Sequence, residues 1–422
     1  MGSTVKNLLR EADHRIGRLA SPRRVLVEAR TPVYLAVLGP LLDAFARDLR
    51  TSVFVTGGDS PAVQETVAAG LASRGSQGSL GPRWMEREEA EWSRFDLLIN
   101  ADPWGTVTLR RCRRRINFFH GVAGKYDLDC PAGLPAGFDT YSRVAFANAD
   151  RMHRYVDAGI VTREQALLVG YPKLDALVNG TFVPMDVRRT LGLDRERPTV
   201  LFGPTWSSAS ALHLAGEAIV ESLIGAGFNV IAKLHDRSLQ TSQRFTDGID
   251  WRARFARFAP SGRFALATGA DSSPCLSAAD LMVTDHSSIG FEFLTLDRPL
   301  LVFDAPDLER VARINPDKIA LLRSAATVVR DTHGLVAAAE EARRSPGRLS
   351  ARRRQVAREM FYRPGSATMR ALQACYALLE LTPPLTGFAP NDSNVSNDSN
   401  DSNDSNVSND SNHSNNRLEA LA

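Results

Sequence analysis

The stretch LMVTDHSSIGFEFLTLDRPLLVFD, residues 281–304, indicates the fold class of this chain. Its first apolar run ends at Thr284 and Asp285 and predicts a buried strand. Ser287 and Ser288 follow and predict the start of a helix, because serine is common at helix N-caps. A second apolar run then predicts another strand. Two strands joined by a helix form a βαβ unit, so the stretch predicts a parallel sheet and an α/β fold.

The same alternation of strand and helix extends along most of the chain. One helix is predicted over residues 212–225, and another by the helical spacing of Leu41, Leu42, Phe45 and Leu49. The other predicted strands are RVLVEA from residue 24, SVFVTG from 52, DLLINA from 96, INFFHG from 116, VAFANA from 144, ALLVGY from 166, TVLFGP from 199, NVIAKL from 229 and FALATG from 264.

Changes in composition divide the chain into six predicted segments. The polar stretch before Pro198 interrupts the strand pattern and predicts a linker between two Rossmann-like domains. Arg-rich helical sequence predicts helices that pack across both domains, and a tract of Asn, Asp and Ser predicts a disordered tail. The segments are an N-terminal segment 1–22, a first domain 23–180, a linker 181–197, a second domain 198–333, C-terminal helices 334–383 and a tail 384–422.

Composition disfavours several classes of protein. A formal net charge of +3 is close to neutral and gives no indication of a nucleic-acid-binding protein. The four cysteines form no CxxC pair, so no metal site is predicted, and their scatter fits a reducing compartment. The absence of Walker, GxSxG and HExxH motifs disfavours a Ser-His-Asp hydrolase. No signal peptide or membrane span is predicted, so we expect a cytoplasmic protein, soluble or peripheral at the inner face of the membrane.

Five arginines are concentrated in one short run before the strand INFFHG. They are Arg110, Arg111, Arg113, Arg114 and Arg115. We expect this run to form the solvated face of a helix, because most charge runs are solvated faces. The alternative is that it contacts an anionic acceptor or a membrane surface.

Candidate site residues follow the predicted strands, because open α/β sheets bind ligands at the carboxyl ends of their strands. The backbone N–H groups after Asp285, with the hydroxyls of Ser287 and Ser288, predict a phosphate site at a helix start. Glu292 lies four or five residues further on, from where its carboxylate can reach a ribose hydroxyl. These residues predict a site for a nucleotide donor. The alternative is that Asp285 and Ser287 only cap the helix.

Two histidines end predicted strands and are the candidate catalytic residues. His120 is followed by Gly121, which lets a substrate approach the backbone closely. Imidazole takes up a proton near neutral pH, so His120 is the candidate general base. His235 is expected at the same sheet edge as Ser287. Either histidine can instead be structural, and no role is assigned to His14, His153, His213, His286, His333 and His413.

Further strand-end residues are candidates for the cleft between the two domains. Thr205 ends TVLFGPT and its hydroxyl can contact a phosphate, while Trp206 either lines the cleft or packs. Gly170 and Lys173 belong to the segment GYPKLD, which forms either the cleft floor or a simple turn. Lys233 alternates with His235 and either faces the cleft or is solvated.

The chain resembles the CDP-glycerol glycerophosphotransferases of teichoic-acid synthesis in an ordered set of segments. These are FFHGVAGK, GYPKLDAL, VLFGPTW, VIAKLHD and ADLMVTDHSSIGFEFLTLDRPLLVFD, within residues 116–304. The resemblance implies a GT-B fold, in which an acceptor-side domain faces a nucleotide-donor domain across a cleft. It also implies inverting transfer of glycerol phosphate from CDP-glycerol to a hydroxyl of a polyol-phosphate, glycan or lipid-linked acceptor, with release of CMP. No cofactor is expected, and no carboxylate cluster suggests a metal.

Site roles follow from the same resemblance by position. It implies that His120 is the base, that His235, Ser287 and Ser288 hold the donor phosphates, and that Thr205 and Glu292 make further donor contacts. The chain departs from the family pattern at three places. Val122-Ala123 follow Gly121 where an HGT-type stretch is usual, His286 stands where tyrosine is usual, and Arg363-Pro364-Gly365 replace an expected aspartate-glycine pair.

Three other functions remain open from the sequence. A GT-B glycosyltransferase would use the same cleft with a nucleotide sugar, and a sugar-nucleotide 2-epimerase has the same architecture. A nucleotide-binding protein without turnover would keep the fold alone. All of them share the phosphate site, so the identity of the donor and the fate of its phosphate distinguish them.

Overall fold

A computed structural model describes residues 12, 15–17, 22–58, 61–72, 81–102, 106–125, 128–129 and 137–384. These residues form parallel strands connected by helices. The strands are β1 (Arg23–Glu28), β2 (Thr51–Thr56), β3 (Arg83–Trp84), β4 (Arg94–Asn100), β5 (Arg111–Phe118), β6 (Arg143–Phe146), β7 (Ala166–Leu168), β8 (Thr199–Phe202), β9 (Asn229–Lys233), β10 (Phe264–Ala267), β11 (Leu281–Thr284), β12 (Leu300–Phe303) and β13 (Thr327–Val329).

Helices connect most successive strands, and three more follow β13. The α-helices are Pro32–Ala46, Pro61–Ala72, Arg87–Trp92, Ala149–Asp157, Asp175–Val178, Pro184–Thr190, Ala211–Gly225, Gln243–Thr246, Trp251–Ala256, Ser273–Ala278, Ser288–Leu294, Leu308–Val311, Pro316–Ser324, Thr332–Arg344, Ser350–Met360 and Ala367–Leu379. Short 3-10 helices span Phe138–Thr140, Pro172–Leu174, Asp236–Leu239 and Ala259–Ser261.

The strands form two separate sheets, each with a reversal of strand order. The first sheet has the order β3-β2-β1-β4-β5-β6-β7, and the second has the order β10-β9-β8-β11-β12-β13. The reversal lies between β1 and β4 in one sheet and between β8 and β11 in the other. Loops diverge at such a point and leave a crevice at the carboxyl ends of the strands. We call the part of the chain with β1–β7 the first half and the part with β8–β13 the second half.

The predicted α/β fold with two Rossmann-like sheets is confirmed. Each predicted strand is present, and the helix predicted over 212–225 is found as Ala211–Gly225. β3 and β13 were not predicted, because two or three residues are too short for a periodic signal. Leu49 is exposed and lies beyond Ala46, where the first long helix ends.

The prediction of a helix for the arginine run is wrong. Residues 111–118 form β5, which lies between β4 and β6 inside the first sheet. The early part of the strand is charged, and two of its side chains have identified partners: Arg114 lies 3.6 Å from the carboxylate of Glu380, and Arg115 donates to the Leu109 carbonyl. Charge in a strand interior is unusual, and a helix distant in sequence supplies part of the compensation here.

The last helices pack on both halves of the molecule. Ser350–Met360 packs against the helix Ser288–Leu294 of the second half, and Ala367–Leu379 packs against Pro32–Ala46 and against β4 and β5 of the first half. Apart from Pro384, the predicted tail lies outside the described residues, as does most of 1–22. In the described part of the chain, no helix combines the length and apolar character needed to cross a bilayer.

Arg353 fastens the helix Ser350–Met360 to the second half. Its side chain is 2% exposed, and its guanidinium donates to the Asp297 carboxylate and to the Asp297 carbonyl, both at 3.0 Å. Asp297 has a φ of 51°, a left-handed conformation that is uncommon for a residue other than glycine. Arg354 bonds the other carboxylate oxygen at 2.9 Å, but its side chain is 56% exposed.

Replacing Arg353 by methionine should lower the free energy of unfolding by about 3 kcal/mol, because it removes the hydrogen bonds that a buried guanidinium makes to partly buried acceptors. The matched control is Arg354→Met, which removes an exposed contact to the same carboxylate and should cost no more than about 1 kcal/mol. Urea denaturation followed by circular dichroism measures both. Equal losses in the two variants would contradict the role given to Arg353.

Candidate active site

A cavity of about 160 Å³ lies where the carboxyl ends of strands from both halves meet. The loops after β5 and β7 line it from the first half, and the loops after β8, β9 and β11 line it from the second half. Of the residues predicted from the sequence, the cavity is lined by His120, Gly121, Lys173, Thr205, His235, Ser287, Ser288 and Glu292. Trp206 and Lys233 also line it.

The loop 120–125 crosses this cavity, and its own half holds its first residues. The N–H of His120 donates to the Ala101 carbonyl at 3.0 Å. The Tyr171 hydroxyl donates to the His120 carbonyl at 2.8 Å, and the buried Arg151 guanidinium donates to the Gly121 carbonyl at 2.6 Å. These three bonds fix the backbone at His120 without any contribution from the second half.

The second half holds the remaining residues of the same loop. The Ser288 hydroxyl accepts the N–H groups of Val122 and Ala123, both at 3.3 Å. The Nε2 atom of His286 lies 3.0 Å from the Ala123 carbonyl, and the N–H of Asn315 donates to the Gly124 carbonyl at 3.0 Å. Burial lowers the pKa of His286 to about 3, so this bond is made by a neutral imidazole near neutral pH.

His120 is held in one tautomer. Its Nδ1 atom lies 3.0 Å from the Ala101 carbonyl, and a carbonyl oxygen only accepts, so Nδ1 carries the proton. The Nε2 atom of the neutral ring is then left with its lone pair. Tyr34 stacks on the ring at 4.8 Å between centroids and limits its rotation. The arrangement is that of an oriented proton acceptor beside a cavity.

His235 is held in the opposite tautomer. Its Nδ1 accepts the N–H of Arg237 at 3.1 Å, so the neutral ring carries its proton on Nε2. Burial, with the positive charges of Arg237 and Lys233 nearby, lowers the pKa of His235 well below its ordinary value. His235 is therefore a neutral hydrogen-bond donor. A bound anion would raise its pKa and strengthen that bond.

Asp285 lies behind the cavity and does not line it. Its carboxylate accepts the N–H of Thr205 at 2.9 Å and that of Ala211 at 3.0 Å, and it is 1% exposed. The sequence predicts a donor contact for Asp285. That contact stays a prediction, and in the structure the carboxylate joins the loops after β8 and β11, which start side by side at the strand reversal. It thereby positions Thr205, whose hydroxyl donates to the His286 carbonyl.

Lys173 and Glu292 form a buried ion pair across the cleft. The ammonium of Lys173, from the first half, lies 2.7 Å from the carboxylate of Glu292 and 2.7 Å from the hydroxyl of Ser272. Side chains of both ionic partners are less than a tenth exposed. The pair is charge-balanced and adds no net charge to the cavity.

Two other lysines give the cavity a positive charge. Lys125 donates to the Thr205 hydroxyl at 2.7 Å, and Lys233 donates to the Leu234 carbonyl at 3.2 Å. Neither forms an ion pair with any residue in the described ranges. Burial lowers the pKa of Lys125 to about 8 and also lowers that of Lys233. Desolvated cations of this kind are stabilised when an anion enters.

The two predicted glycines differ in what requires them. Gly170 has a φ of 89°, and a Cβ there would lie 2.5 Å from the Tyr362 carbonyl oxygen, so the backbone turn itself requires glycine. Gly170 does not line the cavity. A Cβ on Gly121 would meet only the Ser288 hydroxyl, at 3.9 Å, and would point into space that a substrate can use. The fold therefore requires glycine at position 170. At position 121 the fold would accept a side chain, which would occupy part of the cavity.

Sequence reasoning missed several residues that shape this site. Lys125 lies five residues beyond its predicted strand end, in the quoted segment FFHGVAGK, and was given no role. His286 was also assigned none, although it bonds the loop 120–125. Within the described residues, no cluster of His, Cys, Asp and Glu is arranged to hold a metal ion.

Comparison with known families matches residues 141–375 to the model described as CDP-glycerol:poly(glycerophosphate) glycerophosphotransferase. The matched range is more than half of the 422 residues. This chain belongs to that family. It is therefore an enzyme of the CDP-glycerol glycerophosphotransferase type, as the resemblance in its sequence indicates. The range includes His235 and Ser287 and leaves out His120, and the structure places His120 in the same cavity as those two residues.

Solved structures share the fold of this glycerophosphotransferase at low sequence identity. The wall teichoic acid polymerase TagF matches with a TM-score of 0.63 and 13% identity, over 89% of this chain and 96% of that chain. S. aureus MnaA with UDP matches at 0.54 and 13%, over 86% and 98%. The Neisseria meningitidis UDP-GlcNAc 2-epimerase with UDP-GlcNAc matches at 0.53 and 12%, over 84% and 100%. These likenesses confirm the GT-B-like architecture. No curated protein sequence matches the chain.

Ser288 and Ser287 provide a matched pair for testing the site of this family member. Ser288→Ala should lower the free energy of unfolding by about 1–3 kcal/mol, because two loop amides lose their acceptor. Ser287→Ala should change it by less than about 0.5 kcal/mol, since that hydroxyl makes no side-chain cap bond. Urea denaturation distinguishes the two variants. An equal effect would mean that Ser288 does not hold the loop.

Proposed function

We propose that the enzyme transfers glycerol phosphate, or a similar polyol phosphate, from a CDP-linked donor to a hydroxyl of a cell-envelope polymer or glycan, and releases CMP. The observation that carries this proposal is one cavity that combines an oriented imidazole with excess positive charge. Among the residues that the structure describes, His120 Nε2 has no hydrogen-bond partner and the ammonium groups of Lys125 and Lys233 have no carboxylate partner. A diphosphate is an anion that would balance those charges beside a proton acceptor.

The reaction follows from the placement of these groups. The acceptor hydroxyl oxygen attacks the phosphorus of the glycerol phosphate, and His120 Nε2 takes its proton. A new P–O bond forms as the bond between that phosphorus and the oxygen bridging to CMP breaks, and the electron pair leaves with CMP. His120 then gives its proton to solvent. Holding the hydroxyl, base and phosphorus together supplies most of the acceleration, because little covalent chemistry is required of the protein.

Charge develops on the oxygens around the transferred phosphorus and on CMP. His235 presents an Nε2–H donor, and Ser287 presents a free hydroxyl with the N–H groups of the helix that follows. Donors fixed in advance stabilise such charge more effectively than water, because they need no reorganisation. We therefore assign the donor phosphates to His235, Ser287 and Ser288, with Thr205 and Glu292 as further contacts.

The size of the cavity indicates where the rest of the donor lies. A volume of about 160 Å³ is below the roughly 300–1,000 Å³ of pockets that hold drug-sized ligands. An adjoining cavity of about 660 Å³ shares Asp236 and Ala270 with it and extends beneath the helix Pro32–Ala46. We place the diphosphate in the smaller cavity and the nucleoside toward the larger one.

His120→Ala should lower the rate of CMP release from CDP-glycerol by at least about 100-fold, the usual scale of a lost general base. CDP affinity should stay within about threefold of wild type. The matched control is His153→Ala, since His153 is exposed on the helix Ala149–Asp157 and should keep full activity. The assay includes a crude bacterial envelope extract as the acceptor source, and parallel reactions contain UDP- and GDP-sugars.

The products decide between the proposed reaction and its rivals. Phosphate retained in the product, with CMP released, supports phosphotransfer. Release of UDP or GDP from a sugar donor would instead make the enzyme a glycosyltransferase. Nucleotide binding without turnover of any donor would contradict the proposed reaction.

We also propose that the enzyme acts in the cytoplasm, at the inner face of the membrane, where a lipid-linked acceptor would be presented. An exposed basic and aromatic edge at the start of β5 supports this proposal. The Arg110 guanidinium stacks on Trp92 at 3.8 Å, and Trp92 is 62% exposed. Tryptophan beside arginine suits the interface between headgroups and water.

Sedimentation with vesicles tests the membrane contact. Vesicles rich in phosphatidylglycerol should carry the protein down, those of phosphatidylcholine should carry less, and Trp92→Ala should weaken the binding severalfold. No binding to either vesicle, or binding that Trp92→Ala leaves unchanged, would contradict this contact.

A further inference from the structure

Lys125 stands apart from the other described lysines because its hydrogen-bond partner is a neutral hydroxyl. Lys173 is paired with Glu292, and Lys318 is paired with Asp150 at 2.9 Å. Lys233 bonds the carbonyl of its neighbour, Leu234. Lys125 instead reaches from the first half to the Thr205 hydroxyl of the second half. A desolvated ammonium with so weak a partner has much to gain from a phosphate oxygen.

The hydrogen bonds around Thr205 fix how this contact is made. The Thr205 hydroxyl donates its proton to the His286 carbonyl at 2.7 Å, so it can only accept from Lys125. An ammonium has three N–H donors, and in the described part of the chain one of them is used. The other two remain for an oxygen in the cavity that Lys125 lines together with His235 and Ser287.

We infer that Lys125 binds the diphosphate of the nucleotide donor, exchanging the Thr205 hydroxyl for a phosphate oxygen. This inference rests on the proposed function, because it names the group that holds the donor of that reaction. It differs from the roles implied by family resemblance, which place the donor phosphates on second-half residues. Here the first half supplies a cation as well as the base.

The position of Lys125 links donor binding to the general base. Lys125 and His120 are the two ends of one loop, and the backbone between them is held by Ser288 and Arg151. A diphosphate bound by Lys125 is therefore held by the same loop that carries His120. Lys125 is a binding residue that also sets the distance between phosphorus and base.

Two substitutions separate the positive charge of Lys125 from its hydrogen bond to the Thr205 hydroxyl. Lys125→Gln keeps a donor for the Thr205 hydroxyl and removes the charge, and Lys125→Arg keeps the charge. Isothermal titration with CDP should show at least a tenfold loss of affinity for Lys125→Gln and a smaller loss for Lys125→Arg. A surface control, Arg189→Met, removes a charge that is 60% exposed and should not change CDP affinity. Circular dichroism and thermal melting check that each variant is folded.

The outcomes test the inference independently of the reaction. CDP affinity in Lys125→Gln within threefold of wild type overturns the inference, even if the wild-type enzyme turns over CDP-glycerol. Equal losses in Lys125→Gln and Lys125→Arg also overturn it, because charge would then not be the reason. A charge-dependent loss of CDP affinity supports it even if wild type turns over no CDP-glycerol, a result that would count against the proposed function alone.

Discussion

The six residues 120–125 are held by both halves of the molecule, and the site depends on that constraint. Ala101, Tyr171 and Arg151 bond the loop from the first half. Ser288, His286, Asn315 and Thr205 bond it from the second half. A backbone fixed on both sides holds the His120 imidazole in one position. In a loop free to move, ordering that imidazole for each reaction would cost conformational entropy.

Charge is distributed in the cleft so that neighbouring groups have different tasks. Lys173 and Glu292 neutralise each other and join the halves, so the pair adds no net charge to the cavity. Lys125 and Lys233 have no such partner within the described ranges, and they give the cavity between the halves a positive charge. The two histidines beside them present opposite tautomers, so one can accept a proton and the other can donate a hydrogen bond. Backbone contacts, rather than other side chains, set both tautomers.

Much of the fold and part of the site could be predicted from the sequence. Apolar runs locate the ends of parallel strands, and ligands bind at those ends in open α/β sheets. On that basis the sequence singles out His120, His235, Thr205 and Ser287, and all four line one cavity. The same rule cannot tell which way a side chain turns, so Asp285 faces backbone amides behind the cavity. Nor does it reach Lys125, because tertiary bonds set the path of the loop after a strand. The prediction of a helix for the arginine run failed for a similar reason. Glu380, whose carboxylate lies near Arg114, is far away in the sequence.

The helix Ala367–Leu379 has a consequence for how the chain folds as it is synthesised. This helix packs against β4, β5 and the helix Pro32–Ala46, so the last part of the chain buries apolar surface of the first half. About 200 residues separate β7 from that helix, which corresponds to roughly 10–40 s of translation at about 5–20 residues per second. During that interval the first half lacks this helix and exposes the apolar surface that the helix later buries. We therefore expect the core of the first half to be completed late in synthesis, when the C-terminal helices appear.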